Sequence, residues 1–388
     1  MIDDGLWEQW HSQWDLGSGD AVTYMNHGSF GPPPRPVQEA RLQWQRRLDS
    51  QPMDFFMRNY EPAWLAARER LAEFAGADPH DLVFVENATA AMNVVAASLG
   101  LAADDQVLLT DHEYGAVQRI WRRAMAAIGA PEPRVARLPD RIEAAEQVVE
   151  AIFSAAGPRT RLVVVSHITS PTAITLPVEA IVREAHRRGI LVCVDGPHAP
   201  AQLPLDLAGL GCDFYCASLH KWLSAPFGSG FLYVRPEHQS RIVPPQLSWG
   251  RLLPNRPETW SDEFIWSGTR DPSAMLAVPA AIDFLRQVGD EPFRQHGYEL
   301  ATYARARLAE LTGLTPITPD DRHWYTCMAH APLPPGDAVG MQRDLWQRNA
   351  IEVPIVSWNN RRWIRVSCHL YNRSADIDRL IAALEPLL

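Results

Sequence analysis

From residue 82 to residue 234 short apolar runs alternate with stretches of helical spacing, and this alternation does most to limit how the chain can fold. Leu82-Val83-Phe84-Val85, Val107-Leu108-Leu109-Thr110 and Leu162-Val163-Val164-Val165 are each bounded by turn residues. Such runs suit strands buried on both faces, and the strand-helix-strand order indicates a doubly wound, largely parallel sheet with helices on both sides. An α/β fold of this kind takes its ligand outside the C-terminal ends of the strands. Two further runs then become informative. Val192-Cys193-Val194 ends on Asp195, followed by Gly196 and His198, and Phe214-Tyr215-Cys216-Ala217 leads into Ser218-Leu219-His220-Lys221. Side by side in one sheet, they put an acid and an amine on the same rim. An amine can form a Schiff base with an aldehyde, and an acid can keep a pyridine nitrogen protonated. Those are the two demands of pyridoxal 5'-phosphate. Singly, an Asp closing a strand is usually a turn former and a lone Lys a solvated charge. Here Lys221 sits among Ser, His, Trp and Gly.

The chain has 388 residues, which favours two domains over one core. Its 46% hydrophobic and 21% charged content is that of a globular protein, and a formal net charge of −10 argues against a nucleic-acid partner. No run approaches the roughly 20 apolar residues that span a bilayer, so no membrane role is expected. The acidic, aromatic opening lacks the pattern of a signal peptide. Five cysteines without paired spacing read as reduced core thiols of a cytoplasmic protein. His167, His198, Cys212 and Cys216 lack metal-ligand spacing, so no metal is expected.

Other stretches fall into place around the central one. Trp7–Trp14 suits a short helix, and 24–34, from Tyr24 through Asn26, His27 and Ser29 to Pro34, is an extended entry into a rigid Gly/Pro turn. Met53 to Tyr60 is too aromatic for a solvated loop and reads as a pocket wall or subunit contact. Asn87-Ala88-Thr89 opens a helix after a strand, a place where free N–H groups accept a phosphate, although a plain N-cap has the same appearance. No glycine-rich dinucleotide fingerprint is present. Asp111-His112-Glu113-Tyr114 follows another strand, where an aromatic ring can stack on a pyridine. Residues 246–266 are rich in Trp and Pro, and from about residue 274 longer helical patterns mark a smaller α+β domain. It has strands near 325–330, 352–356 and 363–366 and a helix over 338–349. The expected division is 1–20 as a helical segment, 21–273 as the large domain and 274–388 as the small one.

The combination of DGPHA, DFY, S-x-HKW and the later G-x-G resembles the class V, fold type I, pyridoxal-phosphate-dependent aminotransferase family. The nearest variety is the isopenicillin N epimerase-like branch, related to cysteine desulfurases and C–S lyases. The resemblance implies roles. Lys221 would anchor the cofactor and act as base, and Asp195 would hold the ring nitrogen. His198, Ser218 and His220 would contact the cofactor, and the N-A-T-x-x-x-N pattern at Asn87, Ala88, Thr89 and Asn93 would bind its phosphate. Tyr114 is preferred to His112 as the ring that stacks on it. Ser170 stands where desulfurases have an asparagine on the phenolic oxygen. Thr269 would reach the phosphate of a neighbouring subunit, which makes a homodimer part of the site. In R-x-S-x-x-x-Y-N, Arg365 would clamp an α-carboxylate, and Asn26, His27 and Ser29 would line the substrate side.

The expected function is therefore action at the α-carbon of an amino acid or amino-acid-bearing substrate, with epimerisation first. A C–S lyase or desulfurase-like β-elimination is the alternative, and transamination a second. A non-catalytic binding protein of this fold would call for the loss of Lys221 or Asp195, and both are present. A desulfurase carries sulfur on a loop cysteine ahead of the carboxylate-binding arginine, yet residues 349–362 hold no cysteine. Cys327 and Cys368 read as packed thiols.

Overall fold

The computed structural model of the protein describes residues 4–16, 22–251 and 257–388. Its strands, in chain order, are β1 (Thr23–Tyr24), β2 (Leu82–Val85), β3 (Gln106–Thr110), β4 (Arg134–Ala136), β5 (Thr160–Ser166), β6 (Leu191–Asp195), β7 (Phe214–Ser218), β8 (Gly230–Val234), β9 (Met328–Leu333), β10 (Ile351–Glu352), β11 (Ile355–Trp358) and β12 (Arg361–Ser367). Seven of them form one sheet in the order β2-β8-β7-β6-β5-β3-β4. The five from β7 to β4 run parallel, while β8 is antiparallel to both β7 and β2. The exception has a local cause. The loop from 219 to 229 is folded on itself by the bonds Leu219 N to Ser229 O (2.9 Å) and Ala225 N to Leu219 O (3.1 Å), which leaves no crossover helix and so no route to a parallel neighbour.

The continuous apolar character of these strands follows from two cores, one on each face. Val163, Val165, Val192, Val194, Tyr215 and Ala217 face one core, and Leu162, Val164, Cys193, Phe214, Cys216 and Leu232 face the other. Strand side chains alternate between faces, so a sheet covered on both sides needs apolar residues at every position. Each fully buried Val or Leu contributes about 1.5–3 kcal/mol relative to exposure.

A second, antiparallel sheet has the order β11-β12-β9, and β10 pairs in parallel with β1, bringing Thr23 opposite Ile351. The N-terminal entry is thereby stitched to the C-terminal part of the chain. Three sequence expectations shift. The strand sought near 325–330 lies at Met328–Leu333, and the one at 352–356 is split by Pro354, which cannot donate to a ladder. β4 was not anticipated. The aromatic stretch at 53–60 is helical, a π turn at Phe55–Asn59 leading into the helix Tyr60–Ala75. Phe55 and Tyr60 are buried, and the Tyr60 hydroxyl donates to Ile265 O at 2.5 Å. The expected boundary at residue 20 lies outside the described residues. Among the described residues no helix is long and apolar enough to cross a membrane.

Candidate active site

Asp195 ends β6 and Ser218 ends β7, with Asp195 opposite Cys216 in the register and Ser166 of β5 opposite Asp195 on the other side. The acid and Lys221 therefore reach the same C-terminal rim, where a cavity of about 430 Å³ is lined by Lys221, Asp195, Arg365, Tyr114, Thr89 and Ser170 among others. Lys221 is held by its own backbone. Its carbonyl accepts from Ser224 N (2.8 Å) and from the His27 ring (2.9 Å). Gly31 is glycine because a Cβ there would meet Lys221 O at 2.7 Å and His27 Nε2 at 2.6 Å.

Burial dominates the electrostatics. It pushes the Asp195 carboxyl up to about 7, against the opposing pull of Lys221. It pushes the Lys221 amine down to about 7, helped by Arg365 and opposed by Asp195. His198 lies 3.2 Å from the Lys221 Nζ through Nε2, and burial holds its ring neutral.

The end of the site where a phosphate is expected is built on the helix Ala88–Ser98. Asn87 caps it by accepting from Ala90 N at 3.0 Å, and Ala88 N donates to Ser218 Oγ at 2.9 Å. The Thr89 N–H has no partner among the described residues, and it sits at the positive end of the helix dipole. Gly230 permits the close approach of this turn to the sheet, since a Cβ there would meet Asn87 Cα at 2.7 Å. His220 lines the cavity with a buried Nδ1 that has no partner among the described residues. Asn93 bonds back to Thr89 O at 2.8 Å on the exposed side of the helix, so it serves the helix and not the cavity.

Arg365, on β12, is 4% exposed, and its side-chain hydrogen bonds among the described residues go only to neutral oxygens. Its Nη1 donates to Ser170 O (2.6 Å) and lies 3.3 Å from Ser170 Oγ, and its Nη2 donates to Ser29 Oγ (2.8 Å). Its Nε–H is buried without a partner. A guanidinium bound only to neutral oxygens is an incomplete ion pair, and burial lowers its pKa to about 10.

The remaining expected residues divide. Tyr114 lines the cavity and is 51% exposed, whereas His112 is turned away, bonded to Thr172 Oγ1 at 2.7 Å and 4.3 Å from the Trp358 ring. Ser29 reaches the site, but Asn26 and His27 stand behind its wall. Asn26 donates to Glu352 Oε1 at 3.0 Å, and His27 lies 2.7 Å from Tyr371 Oη and stacks on His369 at 3.9 Å. Both are drawn away by β1 pairing with β10. Thr269 lies in a separate recess with Phe84, Glu86 and Gln246, apart from this chain's Lys221. Among the described residues no His, Cys, Asp and Glu side chains gather as they would around a metal ion.

A model of the class-V aminotransferase family matches residues 53–380. The chain belongs to that family. It is 42% identical to an isopenicillin N epimerase of Amycolatopsis lactamdurans over 95% of both chains, and 39% identical to one of Streptomyces clavuligerus over 94% of this chain and 95% of the relative. A putative L-cysteine desulfhydrase of Oryza sativa subsp. japonica is 30% identical over 95% of this chain and 83% of that one. A cystine C–S lyase solved with cysteine persulfide has a TM-score of 0.83 at 23% identity, covering 94% of this chain and 98% of the other, which shows the shared fold. Class-V aminotransferases use pyridoxal phosphate, and it is the cofactor of this enzyme. The residues fit it, with one amine, one buried acid and a helix start holding an unused N–H.

Two functional features escaped the sequence reading. Lys221 is the only lysine among 36 Lys and Arg residues, a signal that counting would have found. Glu113 is buried beside Asp195, accepting from Thr110 Oγ1 (2.7 Å) and Ser166 Oγ (2.7 Å), which no local pattern announces.

Proposed function

We propose that this class-V enzyme epimerises an amino acid or amino-acid-bearing substrate at its α-carbon. The carrying observation is Arg365, a buried guanidinium short of an acceptor, on the cavity that holds the chain's one lysine. A substrate carboxylate would complete its hydrogen bonding, with Ser29 and Ser170 fixing the plane of the fork. The cofactor, when bound, supplies an aldehyde for the substrate amine and a protonated ring that disperses negative charge from the α-carbon. The chain's own groups do the rest. Arg365 would orient the α-carbon, Asp195 would hold the proton on the ring nitrogen, and Lys221, as a neutral amine, would take the α-proton. Epimerisation is completed by a proton returning to the opposite face.

The epimerase relatives at 39–42% identity support this reading, and desulfhydrase relatives at 30% support a β-elimination as the second one. Persulfide relay is disfavoured. All five cysteines are buried, and burial pushes the Cys327 thiol up to about 12 and the Cys368 thiol well above its ordinary value. A homodimer with Thr269 donated to the neighbouring cavity is part of the proposal, supported by Thr269 lining a recess that its own Lys221 does not share. A cytoplasmic location is supported by the unpaired cysteines.

Turnover in deuterium oxide with peptides bearing a free amino-acid terminus tests the reading. Expected are deuterium at the α-carbon and product of inverted configuration. Faster release of pyruvate and sulfide from cysteine, without inversion of any substrate, would overturn it.

A further inference from the structure

We propose that Trp222 is a positioning residue for Lys221, acting through the tautomer of His198. The inference rests on the reading of Lys221 as the amine that carries the cofactor and moves the α-proton. Trp222 is fully buried, and its indole N–H, which can only donate, points at His198 Nδ1 at 3.3 Å. Nδ1 must then be the nitrogen without hydrogen, and a neutral ring carries its hydrogen on Nε2, the atom 3.2 Å from Lys221 Nζ. A doubly protonated ring would set one N–H against the indole N–H. It would also sit, buried, among Lys221, Arg365, His220 and His27, all of which oppose a further positive charge. The hydrogen on Nε2 needs an acceptor. An amine nitrogen accepts only as the free base, because an ammonium has no lone pair. The pair therefore favours the uncharged form of Lys221, the one that condenses with an aldehyde and accepts a proton. Arg365 acts in the same direction and Asp195 against it. Without the indole N–H, His198 is free to place its hydrogen on Nδ1 and offer Nε2 to an ammonium, and the preference reverses.

Because Lys221 is the only lysine, amine chemistry reports on it alone once the N-terminal peptide has been separated. The full chain is freed of cofactor with hydroxylamine, and the pH dependence of its labelling by trinitrobenzenesulfonate gives the midpoint of Lys221. Trp222→Phe keeps an aromatic ring and removes the donor, and the midpoint should rise by about one pH unit. An unchanged or lowered midpoint overturns the proposal. Should that variant fold poorly, the tautomer is read directly in the wild-type chain from the nitrogen-15 shifts of labelled histidine. His198 should carry its hydrogen on Nε2 at neutral pH, and a hydrogen on Nδ1 or on both nitrogens overturns the proposal. Neither measurement involves turnover. A cofactor that borohydride fails to fix to Lys221 would sink the functional reading of that residue, whatever the tautomer proves to be.

Discussion

In the proposed reaction, Lys221 is the group that reacts and Arg365 the group that holds. With only one lysine in the chain, borohydride reduction of the holoenzyme should fix the cofactor to the Lys221 peptide, and Lys221→Ala should leave none fixed. Turnover should then fall by at least about a hundredfold, the usual effect of removing a general base. Arg365→Ala should raise KM and lower kcat together, a loss of about 2–4 kcal/mol in kcat/KM, because a bidentate carboxylate pair is lost and the α-proton is misaligned with Lys221. A change in KM alone would mean that the arginine binds without orienting. Glu113 supplies a test of pH linkage. Burial raises its carboxyl from 4.5 to about 7 despite the donors Ser166 and Thr110. Between those values the folded chain binds the extra proton and the unfolded chain does not. Stability should therefore fall as pH rises through that window, by up to about 1.4 kcal/mol per pH unit. Urea titrations of Glu113→Gln should show a shallower fall than the wild type, and parallel curves would remove Glu113 from the account.

At the scale of elements, the β11–β12 hairpin occupies the stretch where desulfurases carry their loop cysteine. It turns through Asn359 and Asn360, with φ of 48° and 56°. Two successive left-handed residues make a two-residue turn whose twist matches the flanking strands. The tip is also docked. Trp358 Nε1 donates to Asp111 O at 2.9 Å, and Asn359 Nδ2 donates to Asp111 Oδ2 at 3.3 Å. The hairpin thus clasps the loop that presents Tyr114. Asn360→Val should cost about 1–2 kcal/mol, read as a lower urea midpoint at unchanged m, because a β-branched residue resists positive φ. Asn360→Gly should cost little. The helix Ala338–Asn349 was legible to the residue from its spacing, and β6 and β7 to within one residue from their apolar runs. The hairpin was not. Its register depends on β12 pairing with β9, a contact between segments far apart in sequence.

Across the whole molecule, the cavity is assembled from distant segments. Ser29 follows β1, Thr89 opens a helix after β2, Ser170 follows β5, Lys221 follows β7 and Arg365 lies on β12. The seven-stranded sheet aligns the middle three, and the β1–β10 pairing draws the first toward the last. Thr269 is left outside, exposed in its own recess. If it serves a neighbouring subunit, mixing Lys221→Ala with Thr269→Ala chains should restore activity, since one of the two sites in a heterodimer is then intact. The test requires each parent to be severely impaired alone. Heterodimers verified by mass and no more active than the parents would show that Thr269 does not act in trans.

The strand-helix alternation, the acid and amine at the sheet rim and the family motifs were determined by sequence alone. Each depends on local periodicity or on short spacings within one run of chain. Only the tertiary structure decided that Ser29 faces the cavity while Asn26 and His27 lie behind it. The pairing of β1 with β10 sets which way that segment turns, and its partner lies more than three hundred residues away. The same is true of His112, pulled toward Trp358, and of Tyr114, left at the cavity wall. The missing acceptor at Arg365 is also a tertiary fact, because a lone strand arginine reads as a solvated charge until burial and its neighbours are known. Local spacing chose the chemical groups, and long-range packing decided which of them meet.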